Sequence, residues 1–201
     1  MALEVVSLGS GHEDKQEEIL RAASQLFEQK GFAATSVQDI ADRVGLQKAS
    51  LYYYVESKEE ILFRIAREAI NAFNDELERI VSMSLSPAEA LRRAIAAHLE
   101  AVASNREVMT VFLRESYALP AEKQEVIRRE SDRYTRLMQD IVVRGMATGE
   151  FRPVDTTMVV MAVLGACNWF YRWYDPRGRL SPEGIAAIFA DLILTGLQKP
   201  S

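Results

Sequence analysis

One stretch constrains this chain more than any other: two short apolar-faced segments joined at a Gly-Leu turn, held between two longer ones. In Glu17–Lys30 the apolar residues Ile19, Leu20, Ala23, Leu26 and Phe27 recur at helical spacing. Gly31 follows where a helix ending needs a C-terminal cap. Thr35-Ser36-Val37-Gln38-Asp39 is a capping signal for a short helix. That helix keeps Val37, Ile40, Ala41 and Val44 on one face and stops at Gly45. A second short helix, about Lys48 to Tyr54, carries Leu51 and Tyr52. Ser57-Lys58-Glu59-Glu60 is a capping box that opens a long helix to about Val81.

The order predicts a helix-turn-helix. Gly45 can take the left-handed backbone that a tight inter-helix turn demands. Ala41 is small where two helices must cross closely, and Leu46 is placed to plug the gap between them. The second helix then turns polar and aromatic side chains outward, as a groove-reading helix must. Bulk charge does not support DNA binding. The net charge is -5, and residues 12–67 hold eight Lys/Arg against ten Asp/Glu. A DNA reader usually leaves a basic footprint, so the expectation rests on the local motif.

Helical signals continue to the end. Ser86-Pro87-Ala88-Glu89 starts a helix to about Ser104, and another passes through Val111 to about Tyr117. A long one runs from about Glu122 to Ala147, ended by Gly149. Asp155 or Thr156 opens a helix to about Tyr174, and Ser181-Pro182-Glu183 opens the last, to about Leu197. The expected class is all-α, with about nine helices: an N-terminal three-helix helix-turn-helix domain and a C-terminal helical domain for ligand binding and dimerisation. The expected divisions are 1–12 as a disordered leader, 13–58 as the DNA-binding domain and 59–201 as the remainder. Residues Met1 to Gly11 lack a signal peptide's basic start and apolar run. Met158–Cys167, the most apolar run, is half of what a bilayer span needs. A cytoplasmic protein without membrane partners is expected. The one cysteine, Cys167, and two histidines argue against a disulfide framework and a metal site, and no cofactor is expected. No Gly-rich phosphate loop, Gly-x-Ser-x-Gly or HExxH motif suggests an enzyme.

From Ile19-Leu20-Arg21-Ala22-Ala23 through Thr35-Ser36-Val37-Gln38-Asp39-Ile40-Ala41, Val44-Gly45-Leu46, Ala49-Ser50-Leu51-Tyr52-Tyr53-Tyr54-Val55 and Ser57-Lys58-Glu59-Glu60-Ile61-Leu62, the chain resembles the TetR-family DNA-binding signature nearly end to end. Tyr54 stands where that family often has His, and both can donate to phosphate. The resemblance implies a repressor that binds a palindromic double-stranded DNA operator as a homodimer and is released by a small-molecule effector. It implies that Gln47, Lys48 and Ser50 face base edges or nearby phosphates. Tyr53 and Tyr54 reach the DNA backbone, Lys58 pairs with a phosphate, and Thr35, Ser36 and Gln38 touch the opposite flank. Tyr52 fits core or contact equally.

The last two helices, rich in Met158, Met161, Ile188 and Leu192 and in small residues such as Gly165 and Ala187, suit a four-helix bundle between two subunits. An ordinary intrachain core would use the same side chains. Candidate effector-site residues are His98, Val102, Met109, Phe112, Leu113, Tyr117, Tyr134, Met138, Ile141, Leu164, Asn168 and Arg172, with Leu137, Met161 and Tyr171 beside them. Methionines and aromatics at this spacing more often build plain cores, and His98, mid-helix between Ala97 and Leu99, reads first as a satisfied core histidine. Asn168 and Arg172, one turn apart in an apolar-rich run, need polar partners. Residues 82–201 hold fifteen Lys/Arg, thirteen of them Arg, which suits phosphate or carboxylate. The segment Trp169–Glu183 is similar to TetR-type repressors of fatty-acid and sterol degradation, which implies an acyl-CoA effector. Arg106, Arg114, Arg133 and Arg136 are candidates for its phosphates. The alternative is a multidrug-sensing repressor of the same fold that binds cationic hydrophobic compounds.

Overall fold

Capping residues and apolar periodicity divide residues 8–198, the part described by this computed structural model, into nine α-helices. They are α1 (Leu8–Lys30), α2 (Val37–Arg43), α3 (Lys48–Leu51), α4 (Lys58–Ser82), α5 (Pro87–Ser104), α6 (Arg106–Glu115), α7 (Ala121–Ala147), α8 (Thr156–Trp173) and α9 (Pro182–Leu197). Every signalled N-cap is used. The side chains of Ser36, Ser57, Ser86, Asp155 and Ser181 each accept a backbone N–H of the first turn, worth about 1 kcal/mol apiece.

Three boundaries differ from expectation. The expected leader 1–12 splits: residues 1–7 lie outside the described residues, and 8–12 belong to α1. A helix already nucleated by the buried Ile19 and Leu20 propagates one residue at a time at little cost. Helix α3 stops at Leu51. The chain continues through a tighter turn, in which the N–H groups of Tyr53 and Tyr54 donate to the Ser50 and Leu51 carbonyls at 3.2 and 2.9 Å. After α6 a 3₁₀ turn, Ser116–Ala118, leads to Pro120.

The N-terminal unit packs α1, α2, α3 and the start of α4 around Ile19, Phe27, Ile40, Leu51, Ile61 and Leu62, none more than 1% exposed. Gly45 has φ +66°, where a side chain would be strained. The turn it makes lets the Leu46 N–H donate back to the Ala41 carbonyl at 2.9 Å. Helix α4 leaves this unit and enters the larger body. There α5 lies centrally against α4, α7, α8 and α9 and buries Leu91, Ile95 and Leu99. Each of these side chains contributes roughly 1.5–3 kcal/mol through removal from water.

A tie not foreseen from sequence closes the far end. Beyond α7, Phe151 folds back onto Gly145, and its N–H donates to the Gly145 carbonyl at 2.9 Å. Phe151 also pairs with Gln198 as an isolated antiparallel bridge, and the Arg152 N–H donates to the Leu197 carbonyl at 2.8 Å. Among the described residues no helix is long and apolar enough to cross a membrane.

Candidate functional site

The outward face of the helix-turn-helix carries the side chains that could meet DNA. Gln47, Lys48, Ser50, Tyr52 and Tyr53 are exposed, Tyr53 to 76%. Tyr52 is therefore a surface residue. Tyr54 is half-buried and meets the Tyr53 ring edge-on at 5.2 Å. On α2, Ser36 and Gln38 are exposed. Ser36 is engaged in the capping box with Asp39, and the Gln38 amide donates to Asp42 at 2.7 Å. Hydrogen bonds from Ser36 and Lys30 hold the Asp39 carboxyl down at about 2.

Two expected contacts change character. Thr35 is buried, 1% exposed, and its hydroxyl donates to the Gly31 carbonyl at 2.8 Å. The sequence placed it beside a capping serine and so on the surface, but its side chain instead closes the end of α1. Lys58 donates to the carbonyls of Phe32 and Thr35, both at 2.7 Å, with its ammonium 4.2 Å from the Phe32 ring centroid. It pins the α1–α2 turn to the start of α4. An ammonium has three donors, so one N–H is left.

Sequence reasoning missed the brace behind the reader. Gln16 donates to the Tyr54 carbonyl at 2.9 Å, and Lys15 to the Val44 carbonyl at 3.1 Å. One turn before Gln16, the His12 ring lies 4.9 Å from Tyr54 and 5.4 Å from Tyr53. The i, i+4 spacing of His12 and Gln16 was the available signal, hidden by assigning His12 to a leader.

Inside the larger body, a row of adjoining chambers lies between α4, α5, α6, α7 and α8. One of about 280 Å³ sits against α4 and α5, and a second of about 390 Å³ reaches α8. They share Phe73, His98, Met109 and Tyr134 as walls. A third, of about 410 Å³, shares Phe112, Ser131 and Asn168 with the second and opens between α6 and α7 beside Tyr117, Gln124 and Arg128. Of the sequence-predicted liners, His98, Met109, Phe112, Leu113, Tyr117, Tyr134, Leu164 and Asn168 line these chambers. Val102, Met138 and Ile141 do not. They are about 1% exposed and pack into the core, as helical spacing alone allowed. Arg172, one turn on from Asn168, lies on the exposed side of α8 and lines none of the three.

His98 is the polar centre. One ring nitrogen, Nδ1, lies 3.1 Å from the Tyr134 hydroxyl, and Nε2 lies 3.1 Å from Asn168 Oδ1. Burial pushes the imidazolium down to about 4, so the ring is neutral at pH 7. With the Asn168 oxygen facing it, Nε2–H donates to Asn168 and the Tyr134 O–H donates to Nδ1. Phe73 covers the ring at 4.7 Å.

Among the described residues six of the thirteen arginines of 82–201 are in ion pairs: Arg92, Arg93, Arg128, Arg129, Arg133 and Arg177. Arg133 bonds Glu78 and Glu130, and Arg128 bonds Glu125 and Asp132. Arg133 is thereby removed as a free anion donor. Arg106 lines a larger groove, about 820 Å³, between α1, α4 and α6. There Arg21 and Arg64 face Glu13, Glu17, Glu68 and Glu107, so the charges offset. Arg114 and Arg136 are exposed.

A helix-turn-helix unit joined by one long helix to a cavity-bearing helical body is the architecture of a DNA-binding transcription regulator. Residues 19–65 match the model described as bacterial regulatory proteins, tetR family, and residues 84–197 the Tetracyclin repressor-like, C-terminal domain. The chain belongs to the TetR family. The transcriptional repressor KstR2 of Mycolicibacterium smegmatis is 28% identical over 185 residues, covering 91% of this chain and 90% of its own. The solved structure of PfmR from Thermus thermophilus is 38% identical, with a TM-score of 0.84, covering 90% of this chain and 99% of that one. AibR in complex with isovaleryl coenzyme A and operator DNA is 28% identical, with a TM-score of 0.81, covering 93% of this chain and 100% of that one.

Proposed function

We propose that this chain is a repressor that binds a palindromic operator as a homodimer and is released by an acyl-CoA. The observation that carries the effector reading is the row of chambers. Apolar walls, including Ile70, Phe73, Met109, Met161 and Leu164, suit an acyl chain. The α6–α7 mouth is polar, with Ser116, Gln124 and the paired Glu125 and Arg128 on its wall, and Arg114 on α6 is exposed without an ion pair among the described residues, which suits the polar CoA end. AibR, a relative over nearly the whole chain, is known in complex with isovaleryl coenzyme A and operator DNA together, which supports the ligand class.

On the DNA side, Gln47, Lys48 and Ser50 meet bases or nearby phosphates. Tyr53, Tyr54 and the third N–H of Lys58 meet the backbone, and Ser36 and Gln38 meet the opposite flank. The reader unit is taken as 13–58, with α4 carrying its movements into 59–201. So few contacts bind weakly one copy at a time. The exposed apolar face of α8 and α9, with Met158, Trp169, Trp173, Ile188 and Leu192, pairs two copies.

Helix α6 touches α1, α4 and α8. A ligand entering between α6 and α7 favours conformations in which α6 is displaced, α1 follows, and the two readers no longer match their half-sites. The multidrug reading has one observation in its favour: Glu68 and Glu76 lie on the wall of the chamber by α4. Glu76 is already bonded to Arg79, and Glu68 is exposed, so neither is a free buried carboxylate for a cation. The test is a thermal-shift and gel-shift series with octanoyl-CoA, CoA, octanoate and ethidium. Octanoyl-CoA is expected to raise the melting temperature and release operator DNA. Stabilisation by ethidium alone would overturn the acyl-CoA reading.

A further inference from the structure

Asn168 stands at the border between the apolar chamber and the mouth, since it lines both. Its Oδ1 is committed to His98 Nε2 at 3.1 Å. An amide cannot present oxygen in two directions, so its NH₂ group is turned away from His98. Among the described residues Nδ2 has no hydrogen-bond partner, while the surrounding walls are largely apolar. Asn168 is part-buried, so these two donors are open to an acceptor that enters the chamber. With Asn168 Oδ1 at 3.1 Å from Nε2, the ring donates there and accepts the Tyr134 hydroxyl at Nδ1, and burial against Phe73 holds the imidazole in place.

We infer that Asn168 is the specificity group of the effector site: its amide N–H donates to the thioester carbonyl oxygen of the bound acyl-CoA, and His98 and Tyr134 are positioning residues that aim it. This rests on the acyl-CoA reading above and adds what that reading lacks, a group that distinguishes a thioester from any apolar chain of equal length. The thioester carbonyl marks the join between the polar and apolar halves of the ligand, and Asn168 marks the same join in the cavity. The carbonyl is uncharged and accepts only, which matches a site whose His98 is neutral and whose free amide atoms only donate.

The test compares octanoyl-CoA with S-octyl-CoA, which keeps the chain, sulfur and CoA but lacks the carbonyl oxygen, by calorimetric titration of the full-length protein. The native chain is expected to bind the thioester about 5- to 10-fold more tightly, the range of one neutral hydrogen bond. Asn168→Asp is nearly isosteric and still accepts from His98, but it has no N–H, so it should lose that preference. Asn168→Leu and His98→Leu should lose it too, whatever their absolute affinities, because the ratio of the two ligands is insensitive to a general loosening. Equal binding of both ligands by the native chain, or an unchanged ratio in Asn168→Asp, overturns this inference and leaves the acyl-CoA reading standing. If neither ligand binds the native chain, both fall together.

Discussion

Tyr53 stands clear of the surface, while the side chains around it are tied: Gln16 to the Tyr54 backbone, Lys58 to the turn, Thr35 beneath. An exposed phenol held on a braced backbone can lose its hydroxyl without loss of fold. Tyr53→Phe is expected to leave the melting temperature unchanged. With about 1.5 kcal/mol for each hydroxyl–phosphate bond and two readers per operator, it should weaken operator binding about 100-fold by gel shift. Unchanged binding would remove Tyr53 from the interface. His98 makes the opposite prediction, on stability. Its folded pKa, about 4, lies below the ordinary 6.5, so the unfolded chain binds more protons between those values. The stability it lends is present above pH 6.5 and lost as the pH falls toward 4. Between pH 7 and 5 this amounts to about 2 kcal/mol. In urea titrations His98→Gln should lose less stability over that interval than the native chain. An equal loss in both would show that His98 is not buried neutral.

Helix α7 ends in a contact that depends on one missing methyl group. A Cβ at Gly145 would fall on the Phe151 ring, which is 1% exposed and hemmed in by the bridge to Gln198. Gly145→Ala raises helix propensity by up to about 1 kcal/mol but forces the ring out of a packed site at about 1–3 kcal/mol. Net destabilisation is expected in urea melts, and a stabilised variant would refute the contact. This tie was not legible in the sequence, since nothing local marks Phe151 as the partner of Gly145 or of Gln198 at the far end of the chain. The helices were legible because their signals are local: a capping Ser or Asp and a repeat of apolar residues. The helix-turn-helix was legible for the same reason. The effector site was legible only in part. Helical spacing brings Met109, Met138 and Ile141 toward the interior alike, and only the packing of α5 to α8 decides that Met109 borders a chamber while the other two fill core. Likewise Asn168 and Arg172 share a stretch of α8, yet one turns inward to His98 and the other remains exposed.

The reader is acidic on balance, and its one long cationic side chain on the recognition helix is Lys48. One copy therefore gains little from counterion release, and in the proposed homodimer operator affinity comes from holding two copies at the correct spacing. On that proposal the exposed apolar face of α8 and α9, outside the reader unit, is a determinant of DNA binding. Leu192, on α9, is the most exposed aliphatic side chain of this face at 70%, with Ile188 one turn away and Met158, Trp169 and Trp173 on α8. An arginine there stays solvated in a monomer but is buried unpaired in a symmetric pair, where each copy meets the same patch of the other. Leu192→Arg is expected to keep the native melting profile at low concentration, to run as a monomer in light scattering, and to lose at least about 10-fold in affinity for a full palindrome. Its affinity for a single half-site should be unchanged, because Gln47, Lys48 and Tyr53 lie in the other unit of the fold. A variant that is monomeric yet binds the palindrome as tightly as the native chain would break the link between the α8–α9 face and the reader. A variant that remains dimeric would place the subunit contact on another face.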